Sequence, residues 1–518
     1  MEIPSSWYLF LLPEISLTIL LFSIQIYSRM LPNDRQRNVG LMTAWGAFII
    51  LVLTLGLWWY ADIPAANASL QETLIWGGML RNDMITLVFR VIFLTALMTT
   101  CLVSLDTPWL QKIEYFALLI TATMGFSLMA ASADLIMLYI GLEMASISSY
   151  ILAGFYKADD RSAEAGMKYF VYGAFATAVM LFGMSFIYGI FGSTNIYVLG
   201  DIVQSIPTIA QAQQTGTAQM VTQVQDLTAV LLVAVVMIVV GFGFKISAVP
   251  FHWWAPDTYE GAPTAFTAFV STASKAAGFA IFLRVFTAGV FGAPTSVPSA
   301  QPAWWALLVV ICIITMTLGN LSAIFQKNIK RMLAYSSVAQ AGYAMIGLII
   351  FTQDGYGASM FYLLMYAFTN IAAFGVIIIV SNVSKSDQME DLYGLNRRSP
   401  YLALVMMVAL LSLGGIPPTA GFLGKFFLFK AAVDAGYWWL AAIGIFNAFV
   451  ALYYYLTVIK YMYLYRSDAE AIEIPVSRAA VMGLGITTLV VIVLGVYAGP
   501  AYQWTLQAAA SFLTLAGG

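Results

Sequence analysis

The 518-residue sequence predicts an all-α polytopic membrane protein, and three observations carry that reading. Hydrophobic residues make up 61% of the chain and charged residues only 9%, too few charges to cover the surface of a soluble globule. Apolar stretches of about 20 residues, the length that crosses roughly 30 Å of hydrocarbon, recur fourteen times. Two of them are interrupted by Gly and Pro at corresponding places in two halves, the pattern of an inverted-repeat transporter. The expected fold is about 14 transmembrane helices in a single transmembrane domain (1–518), with two inverted five-helix repeats, spans 4–8 and 9–13, and broken helices 7 and 12.

In chain order, spans near 7–29, 40–60 and 84–104 form an N-terminal group within residues 1–112. The chain opens Met1-Glu2 with no basic run, so its first span is expected to be a retained helix and not a cleaved signal peptide. Spans near 113–131, 133–155, 167–190, 228–250 and 263–290 make the first repeat, residues 113–290. Its fourth helix is broken where Gly241, Gly243 and Pro250 surround Lys245. Spans near 303–325, 331–351, 357–382, 400–432 and 438–465 make the second repeat, residues 303–465. There the break falls at Gly414, Gly415, Pro417 and Pro418, ahead of Lys425. A last span near 480–506 lies in residues 466–518. The polar insertions near 61–83 and 191–227 are too short to fold alone.

Loop charge orients these spans. Arg29, Arg35 and Arg37 fall in the first loop, Lys157 and Arg161 in the fifth, and Lys327, Lys330 and Arg331 in a later odd loop; the even loops hold Arg81 alone. Because Lys and Arg stay on the cytoplasmic side in short loops, both termini are expected on the opposite side. The net charge of −2, with no basic stripe, excludes nucleic acid as a partner. Cys101 and Cys312 are isolated in apolar runs, and His252 is the only histidine. That leaves no disulfide, zinc, iron–sulfur or paired-haem ligand set, so any redox cofactor is expected in a partner.

Charged residues inside spans are the candidate functional groups, since an ionisable side chain at bilayer depth is costly. Glu143 lies mid-span with no opposite charge one turn away on its own helix; Lys168, at the start of the sixth span, is the nearest candidate partner in sequence. The pair reads as functional or as a purely structural bridge. Lys245 sits at the first break and Lys275 midway along the eighth span. An ammonium kept from water is costly, so such a lysine can release and regain a proton when a nearby charge biases it, as a proton relay requires. Snorkelling to the interface is the competing reading, open for Lys168 and Lys430 and poor for Lys275. Lys425 holds in the second repeat the place of Lys245 in the first. His252, beside Trp253 and Trp254, is either a proton relay or a hydrogen-bonded residue of the aromatic belt. Arg90 and Arg284 are expected to satisfy carbonyls or headgroups, Asp83 and Asp134 to cap helices, and Asp257 and Glu260 to lie in the seventh loop.

Several segments, in order, carry a family resemblance: GFGFKISAVPFHWWAPDTYEGAPT, TASKAAGFA, KNIKRMLAYSSVAQAGY and LSLGGIPPTAGFLGKFF. They resemble the antiporter-like membrane subunits of respiratory complex I and its photosynthetic relatives; SAEAGMKYFVYGAF and Lys425 are similar to the N-type. The M-type typically has glutamate at the place of Lys425. The resemblance implies a proton half-channel in each repeat. Glu143 would pair with Lys168 and set the protonation of Lys245, Lys275 would connect the halves, and Lys425 would serve the exit. It further implies a translocase subunit of a quinone oxidoreductase using NADH, NADPH or ferredoxin, with no redox centre in this chain. FMN, iron–sulfur clusters and quinone would belong to partner subunits, and the partners would be other membrane-arm subunits, including neighbouring antiporter-like ones. The setting would be an energy-transducing membrane, bacterial plasma membrane or thylakoid. The alternatives are an Mrp-type cation/proton antiporter subunit and a structural subunit whose charges only hold helices together.

Overall fold

A computed structural model describes residues 5–32, 35–65, 68–205, 218–288, 302–466 and 474–516. In chain order its first helices are α1 (Leu12–Met30), α2 (Arg37–Ala61), α3 (Met84–Ser104), α4 (Ile113–Ala131), α5 (Leu135–Ala153) and α6 (Asp160–Phe191). Then come α7 (Ala218–Ile246), a short α8 (Trp254–Gly261) and α9 (Thr264–Thr287). The second half gives α10 (Ala303–Ile324), α11 (Ile329–Ile349), α12 (Gln353–Ser384), α13 (Pro400–Gly414), α14 (Ala420–Asp434), α15 (Trp438–Leu464), α16 (Arg478–Val496) and α17 (Gly499–Ala516). A two-stranded antiparallel hairpin pairs Leu74–Ile75 with Leu80–Arg81.

Among the described residues, 12 helices are long and apolar enough to cross a membrane. The two remaining expected spans have plain counterparts: 7–29 is α1, of 19 residues, and 400–432 is split into α13 and α14, of 15 residues each. Two boundaries differ from expectation. The span near 480–506 ends at Val496, and α17 is a separate helix. Pro500 has no N–H to bond back to Val496, so a continuous helix cannot pass through it. The loop expected at 251–261 is helical from Trp254 onward.

Polar side chains start the helices where the sequence places them. Asp83 accepts from Thr86 N at the head of α3, Asp134 from Ile136 N and Met137 N at the head of α5, and Asn328 from Arg331 N at the head of α11. Small residues then let paired helices approach closely, as expected where apolar burial cannot by itself drive helices together. A Cβ on Gly125 of α4 would lie 2.6 Å from Ala145 N of α5, and one on Gly319 of α10 would lie 2.7 Å from Ala339 N of α11. The same close hairpin thus opens both repeats, α4–α9 and α10–α15. With five spans in each, the second starts on the opposite face from the first, which inverts it.

The interior of the bundle is α9, α3, α11 and α12. All of the apolar window of α9 is buried, against 28% for α16 at the periphery. α12 packs on α11, α13, α14, α16 and α17, and reaches α3 and α9.

Candidate functional site

Buried cations in this bundle differ in how they are held. Three arginines, and Lys330 with Asp387 (3.0 Å), are matched with carboxylates. Arg90 makes a two-pronged bridge to Glu14 (Nε–Oε1 and Nη2–Oε2, both 2.9 Å), and Arg284 makes another to Asp83 (2.9 and 2.8 Å). Arg81 lies 3.3 Å from Asp83, with Tyr197 OH accepting from its Nη1 at 2.6 Å. Each expected carbonyl contact is also present, Arg90 to Phe10 O (3.0 Å) and Arg284 to Ala130 O (2.5 Å), but the carboxylates are the principal partners. Planar guanidinium forks suit such bidentate pairing, which makes these bridges structural fasteners between α1, α3 and α9.

Three other lysines are different. Lys245, Lys275 and Lys425 are 0%, 2% and 4% exposed, and among the described residues none is bridged to a carboxylate. Lys245 is the penultimate residue of α7, where the helix stops at Ile246 and Ser247 turns left-handed (φ 58°). Its Nζ has no hydrogen-bond partner. Glu143 of α5, half-buried, lies within electrostatic reach of Lys245, and its Oε1 is likewise unpartnered. The freed backbone of the break is tied down by neighbours: Val249 N–H donates to Thr315 Oγ1 of α10 (3.0 Å), and Trp254 Nε1 donates to Phe244 O (3.0 Å). His252 is buried in this break, 4.9 Å between ring centroids from Trp253, with no side-chain hydrogen bond to its ring nitrogens. Lys275 lies within its electrostatic reach.

Lys275 follows a π-helical turn at Val270–Ser274, a distortion that frees carbonyls inside a helix. One turn on, a Cβ at Gly278 would meet the Lys245 side chain at 3.2 Å, so α9 abuts the first break on the face that carries Lys275. The Lys275 ammonium donates to Ser337 O of α11 (2.5 Å). From the next residue of α11 a row of hydrogen bonds runs to the second break. Ser336, adjacent on α11, hydrogen-bonds Tyr455 OH; Gln340 Nε2 donates to the same hydroxyl (3.0 Å) and to Leu413 O (3.2 Å); Lys425 Nζ donates to Leu413 O (2.8 Å) and Gly414 O (3.2 Å). Tyr362 OH donates to Gln340 Oε1, and Tyr366 OH to Ser337 Oγ (2.8 Å). Carbonyls released where α13 ends thus hold the ammonium, while Gly415 (φ 82°) turns the chain beside it.

Sequence reading placed the charged ends of this path and not its middle. Gln340, Ser336, Ser337 and Tyr362 are neutral; the one sequence signal was the polar cluster in YSSVAQAGY, which places Ser336, Ser337 and Gln340 on one stretch of α11, while Tyr362 on α12 had none.

The expected Glu143–Lys168 pair is not formed. Lys168 is held by Glu164, one turn earlier on α6, and by Asp257 of α8, both at 2.7 Å. Both carboxylates are nearer the exposed end of α6 than mid-helix Glu143, so they take the ammonium. Asp257 and Glu260, expected in a loop, instead sit on α8 and share Arg331 of α11 at 2.7 and 2.9 Å. Burial alone would raise the Asp257 carboxyl, but hydrogen bonds from Lys168 and Arg331 outweigh it and hold it below the usual carboxylate range. This network fastens α8, and with it the first break, to both repeats. Lys430, for which snorkelling was the competing reading, is an exposed residue paired with Asp434 (2.5 Å).

Comparison with known proteins places this arrangement. A family profile described as NADH:quinone oxidoreductase/Mrp antiporter, transmembrane, matches residues 132–451, the segment that holds every lysine above. NADH-quinone oxidoreductase subunit N of Desulforamulus reducens is 39% identical over 503 residues, covering 96% of this chain and 98% of that one. A chain of respiratory complex I from Thermus thermophilus superposes with a TM-score of 0.72 at 27% identity, covering 95% of this chain and 98% of that one. A chain of the Mrp complex from a Dietzia species shares the fold, with a TM-score of 0.76 at 21% identity over 99% of this chain and all (100%) of that one. With a relative this similar over nearly its whole length, the chain belongs to the NADH:quinone oxidoreductase/Mrp antiporter membrane family, among the antiporter-like N subunits of the proton-translocating NADH-quinone oxidoreductases.

Proposed function

We propose that the chain moves protons across an energy-transducing membrane through Glu143, Lys245, Lys275 and Lys425, driven by quinone reduction in other subunits of its complex. The observation that carries this reading is the set of three buried lysines without carboxylate bridges among the described residues, two of them at helix breaks, beside Arg81, Arg90 and Arg284, which are each bridged. A bridged cation holds its proton; an ammonium supported only by carbonyls and distant charge exchanges it at small cost. Opposite charges about 4 Å apart interact by roughly 4 kcal/mol at an effective dielectric near 20, and about 1.4 kcal/mol is a tenfold change in proton affinity. Glu143 and Lys245 are not in ion-pair contact, so their interaction is a fraction of that, about 2 kcal/mol for charges ~8 Å apart, and a change in the charge of Glu143 biases the Lys245 proton by that fraction. Lys168 acts on Glu143 when it leaves Asp257, and His252 passes protons between the first break and Lys275.

The neutral row Ser336, Tyr455 and Gln340 runs from the residue beside the Lys275 acceptor Ser337 to the carbonyl that holds Lys425, and supports a route between the repeats. Residues 1–112, 113–290, 303–465 and 466–518 serve as the N-terminal group, the two half-channels and the C-terminal segment, with both termini on the non-cytoplasmic side. Neighbouring membrane-arm subunits are the partners, and FMN, iron–sulfur clusters and quinone reside in those and the peripheral subunits. Among the described residues no three His, Cys, Asp or Glu side chains group as metal ligands. The relatives named for quinone oxidoreductase favour this reading over an Mrp-type antiporter, whose likeness at 21% identity speaks for the fold alone.

The test is proton translocation by the reconstituted complex. Glu143→Ala and Lys275→Ala are each expected to lower it about tenfold or more, a barrier increase of ~1.4 kcal/mol or above, while the complex still assembles. Wild-type translocation in either variant refutes the assignment.

A further inference from the structure

We propose that a cleft beside the second helix break binds a single-chain amphiphile with a carboxylate head, a free fatty acid, whose head group meets Lys425. The cleft, about 490 Å³, lies between α14 and α15. Its walls are Phe422, Phe426, Phe429, Phe449 and Leu452, and Lys425 lines it where Gly414 and Gly415 leave the wall without side chains. Phe426 and Phe449 are 50% and 68% exposed, so the cleft opens on the outer face of the bundle. That volume falls in the range of small-molecule clefts, roughly 300–1,000 Å³.

Charge supplies the direction. An ammonium has three donors; Lys425 uses two, on Leu413 O and Gly414 O, and lies 4.7 Å from the Tyr343 ring. Among the described residues no carboxylate bridges it, whereas Lys245 in the first repeat has Glu143 within electrostatic reach. The other cation at the cleft, Lys430, already pairs with Asp434. A carboxylate entering from the membrane therefore finds one ammonium without a carboxylate bridge, on the wall of a cleft lined by aromatic rings that can take its tail. Occupancy pairs Lys425 and stops its proton exchange; that consequence rests on the proposed role of Lys425, whereas the binding itself does not.

The experiment uses the intact complex in phosphatidylcholine nanodiscs with a photoreactive palmitate analogue. Labelling is expected on α14 and α15, competed by palmitate, and reduced at least fivefold by Lys425→Gln and by Leu452→Trp, which fills the cleft from its far wall. Equal labelling by a photoreactive hexadecanol or phosphatidylcholine overturns the proposal, because the head group then selects nothing. So does absence of labelling in the intact complex, which means a neighbouring subunit covers the cleft. Palmitate is also expected to slow proton translocation; labelling without slowing keeps the site and removes Lys425 from the proton route.

Discussion

Arg90 and Lys425 are both buried cations, yet their surroundings assign them different work. Arg90 has Glu14 in a bidentate bridge, so Glu14→Ala leaves an uncompensated charge, with an expected loss of ~3–5 kcal/mol in stability. Reduced yield and a lowered unfolding midpoint of the isolated complex would register it. Lys425 has backbone carbonyls only. Lys425→Ala is expected to abolish most proton translocation with assembly intact, whereas Lys425→Glu keeps part of it, because the site needs a titratable group; full activity in Lys425→Ala would exclude it. Between the lysines, Gln340→Leu removes the donor shared by Tyr455 and Leu413 and is expected to slow translocation severalfold without altering any charge. The charged residues of the site were legible in the sequence because an ionised group in an apolar run is conspicuous. Gln340, Ser336 and Tyr455 were not, since neutral polar residues in membrane helices often bond their own backbone, as Thr99 and Ser104 do here.

At the scale of elements, the two breaks are held by unlike devices. The first is pinned from outside, by α8 through Asp257 to Lys168 and Arg331 and by Thr315 on Val249 N–H. The Asp257 carboxyl is depressed on folding, so its contribution is present above the ordinary carboxylate value of about 3.9 and is lost as pH falls through its lower folded value. Asp257→Asn is accordingly expected to lower thermal stability at neutral pH, with the difference from wild type shrinking as pH falls below the ordinary carboxylate range; a difference that persists in strong acid contradicts the ion-pair account. The second break is held by its own lysine. Gly and Pro announced both breaks, and the apolar runs announced the spans. The helix at Trp254 was not announced, because its polar face, Asp257 and Glu260, is matched only by side chains of α6 and α11. A close crossing such as Gly125 on Ala145 was equally invisible, and Gly125→Val is expected to destabilise by ~1–3 kcal/mol.

At the scale of the molecule, the repeats meet where α9 packs on α12 and α8 on α11, and the lysine of one half reaches the backbone of the other, Lys275 to Ser337 O. The inverted architecture was legible from two interrupted spans with a lysine each. The junction was not, because a side chain reaching a backbone carbonyl across helices leaves no mark in composition or periodicity. Arginine bridges brace the N-terminal helices against α9, so the bundle around the lysines is rigid where it is bridged and exchangeable where it is not. The most direct measurement is the ratio of protons translocated to electrons delivered to quinone, in liposomes holding the complex with Lys245→Ala. The account predicts that the ratio drops while the complex remains whole. An unchanged ratio would mean that a cation buried at a helix break, without a bridge, carries no proton here.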